Sequence, residues 1–236
     1  MHKLSPAIVL VAPQMGENIG AAARAMLNFG LTDLRIVAPR DGWPNQAAVQ
    51  NASGAFDIII PQIFATLPEA LQDLQMVYGT TARPRDVHKP VLTPRAAVTD
   101  IRQSGVRAGF VFGCERTGLE NDDISLCHAI VTAPVNPDFS SLNLGQAVLM
   151  TAYEWMTTQE NHALHESITA ADSPAPHAEM MNLFSPLEHI LDDAQFFKTE
   201  GNRPVMIRNI RAALMRARMT DQEVRTFQGI MTALKS

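Results

Sequence analysis

The chain has 236 residues, is 46% hydrophobic and 18% charged, and carries a formal net charge of −5 at pH 7. That length suits one or two domains with a real core, and the mild acidity argues against a general, sequence-blind nucleic-acid binder. No apolar run reaches the roughly 18 residues of a membrane span, and the start, Met1 to Leu4, runs into Pro6 without the long apolar region of a leader peptide.

Cys114 and Cys127 form neither a CxxC pair nor a zinc spacing, so no disulfide framework or metal site is expected, and a reducing cytoplasm is the expected setting. Residues 7–12 (AIVLVA) read as a buried strand. Ile19, Ala22, Ala23, Met26 and Leu27 then recur at helical spacing, with Asn18 in the N-cap position and Gly30 as the stop. LRIVA (34–38), DIII (57–60), MVYG (76–79), GFVFG (109–113) and AIVTA (129–133) read as further strands, with a helix-like stretch around Leu67 to Leu71. Strands alternating with helices imply an α/β fold, a mostly parallel sheet with helices on both faces.

A turn-rich stretch, PVNPDFSSLNLGQ, leads into a helix striped by Leu144, Ala147, Val148, Thr151 and Trp155. The expected organisation is an α/β domain over 1–158, a polar linker over 159–177 with Pro174 and Pro176, and a small helical extension over 178–236. Three helices are expected there, over 179–198, 204–218 and 220–234. The last opens on a capping box of Thr220 and Glu223.

Three stretches carry chemistry. GENIGAAAR (16–24) follows a strand, but its G-x-x-x-G spacing, with no acid after the second strand, does not fit a nicotinamide site. There is no G-x-x-x-x-G-K-[ST], so a P-loop is unsupported. Arg24, taken by itself, reads equally as a surface residue. FVFGCERTGLEND (110–122) puts Gly113 at a strand end, where backbone can approach a ligand. Glu115 and Arg116 follow at the carboxyl edge of the sheet; the alternative is a plain turn before a helix near Asn121. Cys114 has no identified partner base and reads as a reduced structural thiol. In NPDFSSLNLGQA (136–147), Ser140, Ser141 and Asn143 offer donors and acceptors to a ligand or a cap to the helix. Arg203, Arg208, Arg211, Arg216 and Arg218 occur with no acid among them, a basic face for phosphates or a solvated helix face.

Taken in order, the three stretches resemble the SpoU branch of the SPOUT methyltransferases. Asn18 to Arg24 resembles its N-x-G-x-x-x-R motif, Phe112 to Leu119 its second motif, and Ser140 to Leu144 its third. The likeness covers about 6–156. YGTTAR (78–83), NPDFSSLNLGQAV and the helical tail are most similar to bacterial tRNA ribose methyltransferases acting on cytidine or uridine 32 of the anticodon loop. Cys114 departs from the charged residue pictured in relatives.

The resemblance implies a trefoil knot in the C-terminal part of the α/β domain, a homodimer with the site near its interface, and S-adenosylmethionine as methyl donor. It places the cofactor at Thr80, Thr81, Ala82, Gly113, Ala133, Ser140, Ser141, Leu142 and Asn143. It implies a catalytic set of Arg24, Ser141, Asn18 and Glu115. Guanidinium is a poor base in water, so Arg24 is expected to grip a phosphate and orient the ribose 2′-hydroxyl. Phosphate, Ser141 or water then takes the proton. Glu115 either pairs with Arg24 or closes its turn. Arg203, Arg208, Arg211 and Arg218 are expected to contact tRNA. The alternatives are a ribosomal RNA ribose methyltransferase and an RNA-binding protein that has lost catalysis.

Overall fold

The computed structural model describes residues 5–82, 89–158, 173–197 and 200–234. Seven strands form one sheet: β1 (Ala7–Val11), β2 (Leu34–Val37), β3 (Gln62–Phe64), β4 (Met76–Thr80), β5 (Val91–Leu92), β6 (Ala108–Phe112) and β7 (Ala129–Val131). Their spatial order is β3-β2-β1-β6-β4-β7-β5, and every pairing is parallel. The central strands are short continuous apolar runs because both of their faces are covered. Ile8 and Leu10 of β1 face one core with Tyr78, Phe110, Val148 and Trp155; Ala7 and Val9 face a second core with Leu71, Val77, Val111 and Ile124.

The first core is closed by α1 (Gly16–Asn28), α2 (Gln46–Asn51), α4 (Pro94–Ser104) and α6 (Leu144–Thr157), the second by α3 (Leu67–Leu71) and α5 (Asn121–Ser125). Three more helices follow: α7 (His177–Asp193), α8 (Arg203–Arg216) and α9 (Asp221–Leu234). They share a third cluster built on Met180, Leu183, Phe184, Met215, Val224 and Met231. Thr220 and Glu223 form the expected capping box, with Thr220 N donating to Glu223 at 2.7 Å and Glu223 N to Thr220 at 3.3 Å. No helix among the described residues is long and apolar enough to cross a membrane.

Three expectations are corrected. Asn18 is not an N-cap: α1 opens at Gly16, and Asn18 lies buried in its first turn. The run DIII is not a strand. Ala55–Asp57 is a 3-10 turn, and Ile58 and Ile60 are 62% and 82% exposed. The strand comes later, at Gln62–Phe64, where Ile63 pairs with Ile36 of β2. Three half-exposed edge residues carry little pattern, and the apolar run before them outweighs it. Finally, α7 begins at His177, inside the span assigned to a linker. Residues 159–172 of that span lie outside the described residues. Pro174 and Ala175 run against the rest of the molecule: Gln75 Nε2 donates to Pro174 O at 2.7 Å and Ala175 N to Met219 O at 2.8 Å.

The tail docks on the amino edge of the sheet. His177 N donates to Leu74 O at 2.8 Å and Ala178 N to Gln72 O at 3.2 Å, both just before β4.

Gly20, the motif glycine, lets α1 and α2 touch backbone to backbone. A Cβ there would stand 2.3 Å from Ala48 O and 2.9 Å from Ala52 N. Gly20→Ala is therefore expected to destabilise the fold by about 1–3 kcal/mol, the range for overpacking. Urea denaturation checks this; an unchanged midpoint would show that α2 slides away at no cost.

Candidate active site

A cleft of about 170 Å³ opens at the carboxyl ends of β4, β6 and β7, the edge where open α/β sheets bind ligands. Thr80, Thr81 and Ala82 leave β4, Phe112 and Gly113 leave β6, and Val131 and Ala133 leave β7 to line it. Its other walls are the 114–118 loop, Ser140, Ser141 and Leu142, and the α6 residues Leu144, Ala147, Met150 and Thr151. Thr81 N donates to Val131 O at 3.0 Å, and Thr80 Oγ1 to Val111 O at 3.0 Å, so the floor is rigid.

Gly113, which lines the cleft, also has a task within its own loop. A Cβ on it would lie 2.1 Å from Gly118 C and from Leu119 N, both on its own loop. The loop closes on itself through Gly118 N to Cys114 O at 2.8 Å, with Gly118 at φ +70°. The glycine thus also allows the close approach of two backbone segments of this loop. Cys114 lines the cleft, with Sγ 2.9 Å from Thr117 Oγ1. Burial would push its thiol pKa up, but bonding from Thr117 and neighbouring backbone N–H groups holds it below the usual value.

Glu115 organises the site. Its carboxylate accepts from Gln14 N at 2.8 Å, Met15 N at 3.2 Å and Asn18 Nδ2 at 2.7 Å. Burial pushes its pKa up, yet these donors outweigh it and keep the carboxylate more acidic than usual. Asn18 Oδ1 in turn accepts from Asn143 Nδ2 at 2.7 Å. Asn143 Oδ1 caps α6, accepting from Gly145 N at 2.8 Å and Gln146 N at 3.4 Å. Thus Asn143 braces the site from outside the cleft lining, while the other eight expected cofactor positions line it.

Arg24 is placed elsewhere. It is exposed on α1, outside the lining, and its Nη1 donates to Ser53 Oγ at 3.1 Å. Six residues at about 100° each put it roughly 120° around the helix from Asn18. The expected pairing of Glu115 with Arg24 is therefore not formed, and Glu115 closes its turn instead.

The four tail arginines expected to contact tRNA all meet acids, because other elements supply the acids their own stretch lacks. Arg203 pairs with Asp192 at 2.6 Å and Arg211 with Glu188 at 2.7 Å, tying α8 to α7. Arg208 pairs with Asp122 of α5 at 3.2 Å and Arg218 with Asp100 of α4 at 2.5 Å, tying the tail to the sheet-bearing body. Sequence reasoning missed Pro94, Val135 and Met150, which also line the cleft. Pro94 had a signal, since it stands at the start of α4 behind its Thr93 cap.

The lining suits an adenosyl group. Apolar Phe112, Val131, Val135, Leu142 and Met150 can cover a flat uncharged ring, and Thr80, Ser140 and Ser141 offer hydroxyls beside them.

The family model described as the SpoU rRNA Methylase family matches residues 5–153. The chain belongs to this family. It is an RNA methyltransferase, and S-adenosylmethionine is its methyl donor. Among its relatives, the tRNA (cytidine/uridine-2′-O-)-methyltransferase TrmJ of Citrobacter koseri is 37% identical over 236 residues, covering 97% of this chain and 95% of the relative. The crystal structure of TrmJ from Z. mobilis ZM4 is 46% identical with a TM-score of 0.90, covering 98% of this chain and all of that one (100%). The SpoU methyltransferase AviRb from Streptomyces viridochromogenes, solved in complex with AdoMet, is 19% identical with a TM-score of 0.56 over 69% of this chain and 61% of its own, and shares the fold.

The tightness of the 113–118 loop has a measurable consequence in this methyltransferase. Gly113→Ala is expected to destabilise the protein by about 2 kcal/mol or more and to weaken S-adenosylmethionine binding with it. Calorimetry and thermal melts on the same variant check both. Normal stability with lost binding would instead mean that the glycine makes room for the ligand alone.

Proposed function

We propose that the chain transfers the methyl group of S-adenosylmethionine to a ribose 2′-hydroxyl of tRNA, at cytidine or uridine 32 of the anticodon loop, in the cytoplasm. The observation that carries this reading is the convergence of all three motifs on one carboxyl-edge cleft, through Glu115, Asn18 and Asn143. The full-length likeness to TrmJ enzymes supports tRNA and ribose chemistry over the ribosomal RNA alternative.

The donor supplies an electrophilic sulfonium methyl, so the protein's work is orientation. The backbone at Thr80 to Ala82, Gly113 and Ala133 and the loop Ser140 to Leu142 hold the adenosyl part. Ser141 is exposed at the cleft wall and can accept the hydroxyl proton or pass it to a phosphate oxygen or water. Arg24 grips the substrate phosphate. Because it lies outside the lining of its own cleft, this role favours a homodimer in which a second copy presents its α1. The exposed apolar side chains Leu149, Tyr153 and Met156 on α6 offer a surface for that contact. The interleaved order β6-β4-β7-β5 supports the family's knot in this part of the chain.

Residues 1–158 act as the catalytic domain and 178–236 as an extension that adds tRNA contacts. Arg203, Arg208, Arg211 and Arg218 keep side-chain exposures of 41%, 26%, 29% and 40% beside their acids. Affinity for tRNA should accordingly fall as salt rises.

Single-turnover methylation of tRNA at saturating enzyme and donor tests the reading, with ribosomal RNA as the competing substrate. Arg24→Ala is expected to slow transfer at least about 100-fold, near 2.7 kcal/mol, with donor affinity unchanged. Arg24→Lys should restore little, since it lacks the planar fork. A near-normal alanine rate would make Arg24 an ordinary helix residue. Methylation of ribosomal RNA alone would replace the substrate, and donor binding with no methylation of either RNA would overturn the reaction.

A further inference from the structure

Where the tail meets the amino edge of the sheet, three basic side chains are buried together. Lys89, just before β5, is 8% exposed, and its ammonium donates to the carbonyls of Ser125 and Cys127. His128, just before β7, is 4% exposed, and its Nδ1 accepts from Val77 N at 3.0 Å. His177, the first residue of α7, is 0% exposed. Its Nε2 lies 3.1 Å from Leu126 O, which can only accept, so Nε2 carries the hydrogen. Its Nδ1 is then a buried lone pair, with no hydrogen-bond partner among the described residues.

The partners found for these three groups are backbone atoms. The other charged groups facing them do not compensate a new cation. Arg216 and Arg218 approach from the tail with positive charge. Asp100 of α4 is engaged by Arg218 and accepts from Tyr78 Oη at 2.8 Å. Asp123 of α5, near Cys127, accepts from Glu120 N at 2.9 Å. A proton on His177 Nδ1 would thus place a full charge beside Lys89 and His128, in a site that gives its N–H no acceptor.

We propose that this seam is an acid-released latch: protonation of His177, joined by His128, undocks α7 and the helical tail while the sheet and its cleft stay folded. The tail can leave as a unit because it has a core of its own, in Met180, Phe184, Met215 and Met231. Its ties to the body include the His177 and Ala178 backbone bonds and the Arg208–Asp122 and Arg218–Asp100 pairs. Burial, then the charge of Lys89, pushes the docked His177 down to about 4, against the opposing bond to Leu126. Burial pushes His128 well below its usual range, with His177 and Lys89 adding to it. A depressed docked pKa means that docking is fully favoured above about 6.5, the free imidazole value, and is lost as pH falls from there toward 4.

Hydrogen exchange of the full chain, corrected for intrinsic rates, tests this at pH 7.5 and 5.0. A single group shifted from about 6.5 to about 4 raises tail opening roughly 25-fold between those pH values. The amides of His177 and Ala178, which donate across the seam to Leu74 O and Gln72 O, should lose protection by at least that factor, and those of β1 and β6 should not. His177→Gln keeps an N–H for Leu126 O and has no titrating nitrogen, so it should remove most of the effect. Unchanged protection of the His177 and Ala178 amides at pH 5.0 overturns the latch. So does simultaneous loss from β1 and β6, which is ordinary acid unfolding, or a docked His177→Gln variant with the full pH response. Should that variant fail to dock even at pH 7.5, the imidazole proton resonance of His177 in the unaltered protein decides. Titration near 6.5 with the tail still docked overturns the proposal, and a resonance that titrates only as the tail releases supports it.

Discussion

The carboxylate of Glu115 takes three N–H bonds from the turn that opens α1, and through Asn18 it reaches the cap of α6. These contacts span about a hundred residues or more of sequence, so the cleft cannot exist before distant parts of the chain have met. A carboxylate with three donors stays ionised and fixed. Its fixity sets the 113–118 loop against the start of α1, and Asn143 sets the third wall from α6. Removing the carboxylate would leave Gln14, Met15 and Asn18 competing for water in a half-buried turn. The cofactor floor at Thr80, Thr81 and Val131 is held by separate backbone and hydroxyl bonds. The geometry at its rim is therefore more dependent on one side chain than the floor is.

Much of this was legible in the residues. Buried strands such as Ala7–Val11 and Ala108–Phe112 announce themselves as short apolar runs, because both faces are covered. Eight of the nine expected cofactor positions line the cleft, since strand ends in a parallel sheet converge on one edge. The errors have physical causes. Asn18 reads as a cap because asparagine favours caps, but a long-range pair with Glu115 and Asn143 outcompetes that local preference. Asn143, by contrast, is the helix cap that its residue type favours, as the sequence alone suggested. Ile58 and Ile60 look like core and face outward, because the edge strand forms after Pro61, not before it. The helix α4 had clear marks that went unread: a Thr93 cap, Pro94 at its start, Ala97, Val98 and Ile101 at helical spacing, and Gly105 at its end.

Charge is the property that one-dimensional reading handles least well here. Five arginines without an intervening acid look like an open basic face. In space, Asp192, Glu188, Asp122 and Asp100 arrive from three different helices to meet four of them. Two of these pairs hold the tail together and two hold it to the body. The same stretch thus has a mechanical task, whatever anion it also meets. The buried basic seam beneath it is similarly invisible in sequence, because Lys89, His128 and His177 are brought together only by the packing of α7 on the amino edge.

The strand order has a consequence for how the chain is made. β4 ends at Thr80, yet its partners in the sheet are β6 and β7, which begin at Ala108 and Ala129. A ribosome delivers the amino end first, so Met76 to Thr80 emerge as a largely apolar strand with both edges bare. Val91 and Leu92 of β5 likewise wait for β7 to arrive between them and β4. During synthesis these segments must remain unpaired while dozens more residues are added, a period in which exposed edges invite aggregation. The nascent protein is therefore most vulnerable between the emergence of β4 and that of β7, and a chaperone that shields apolar strands would serve it most in that interval.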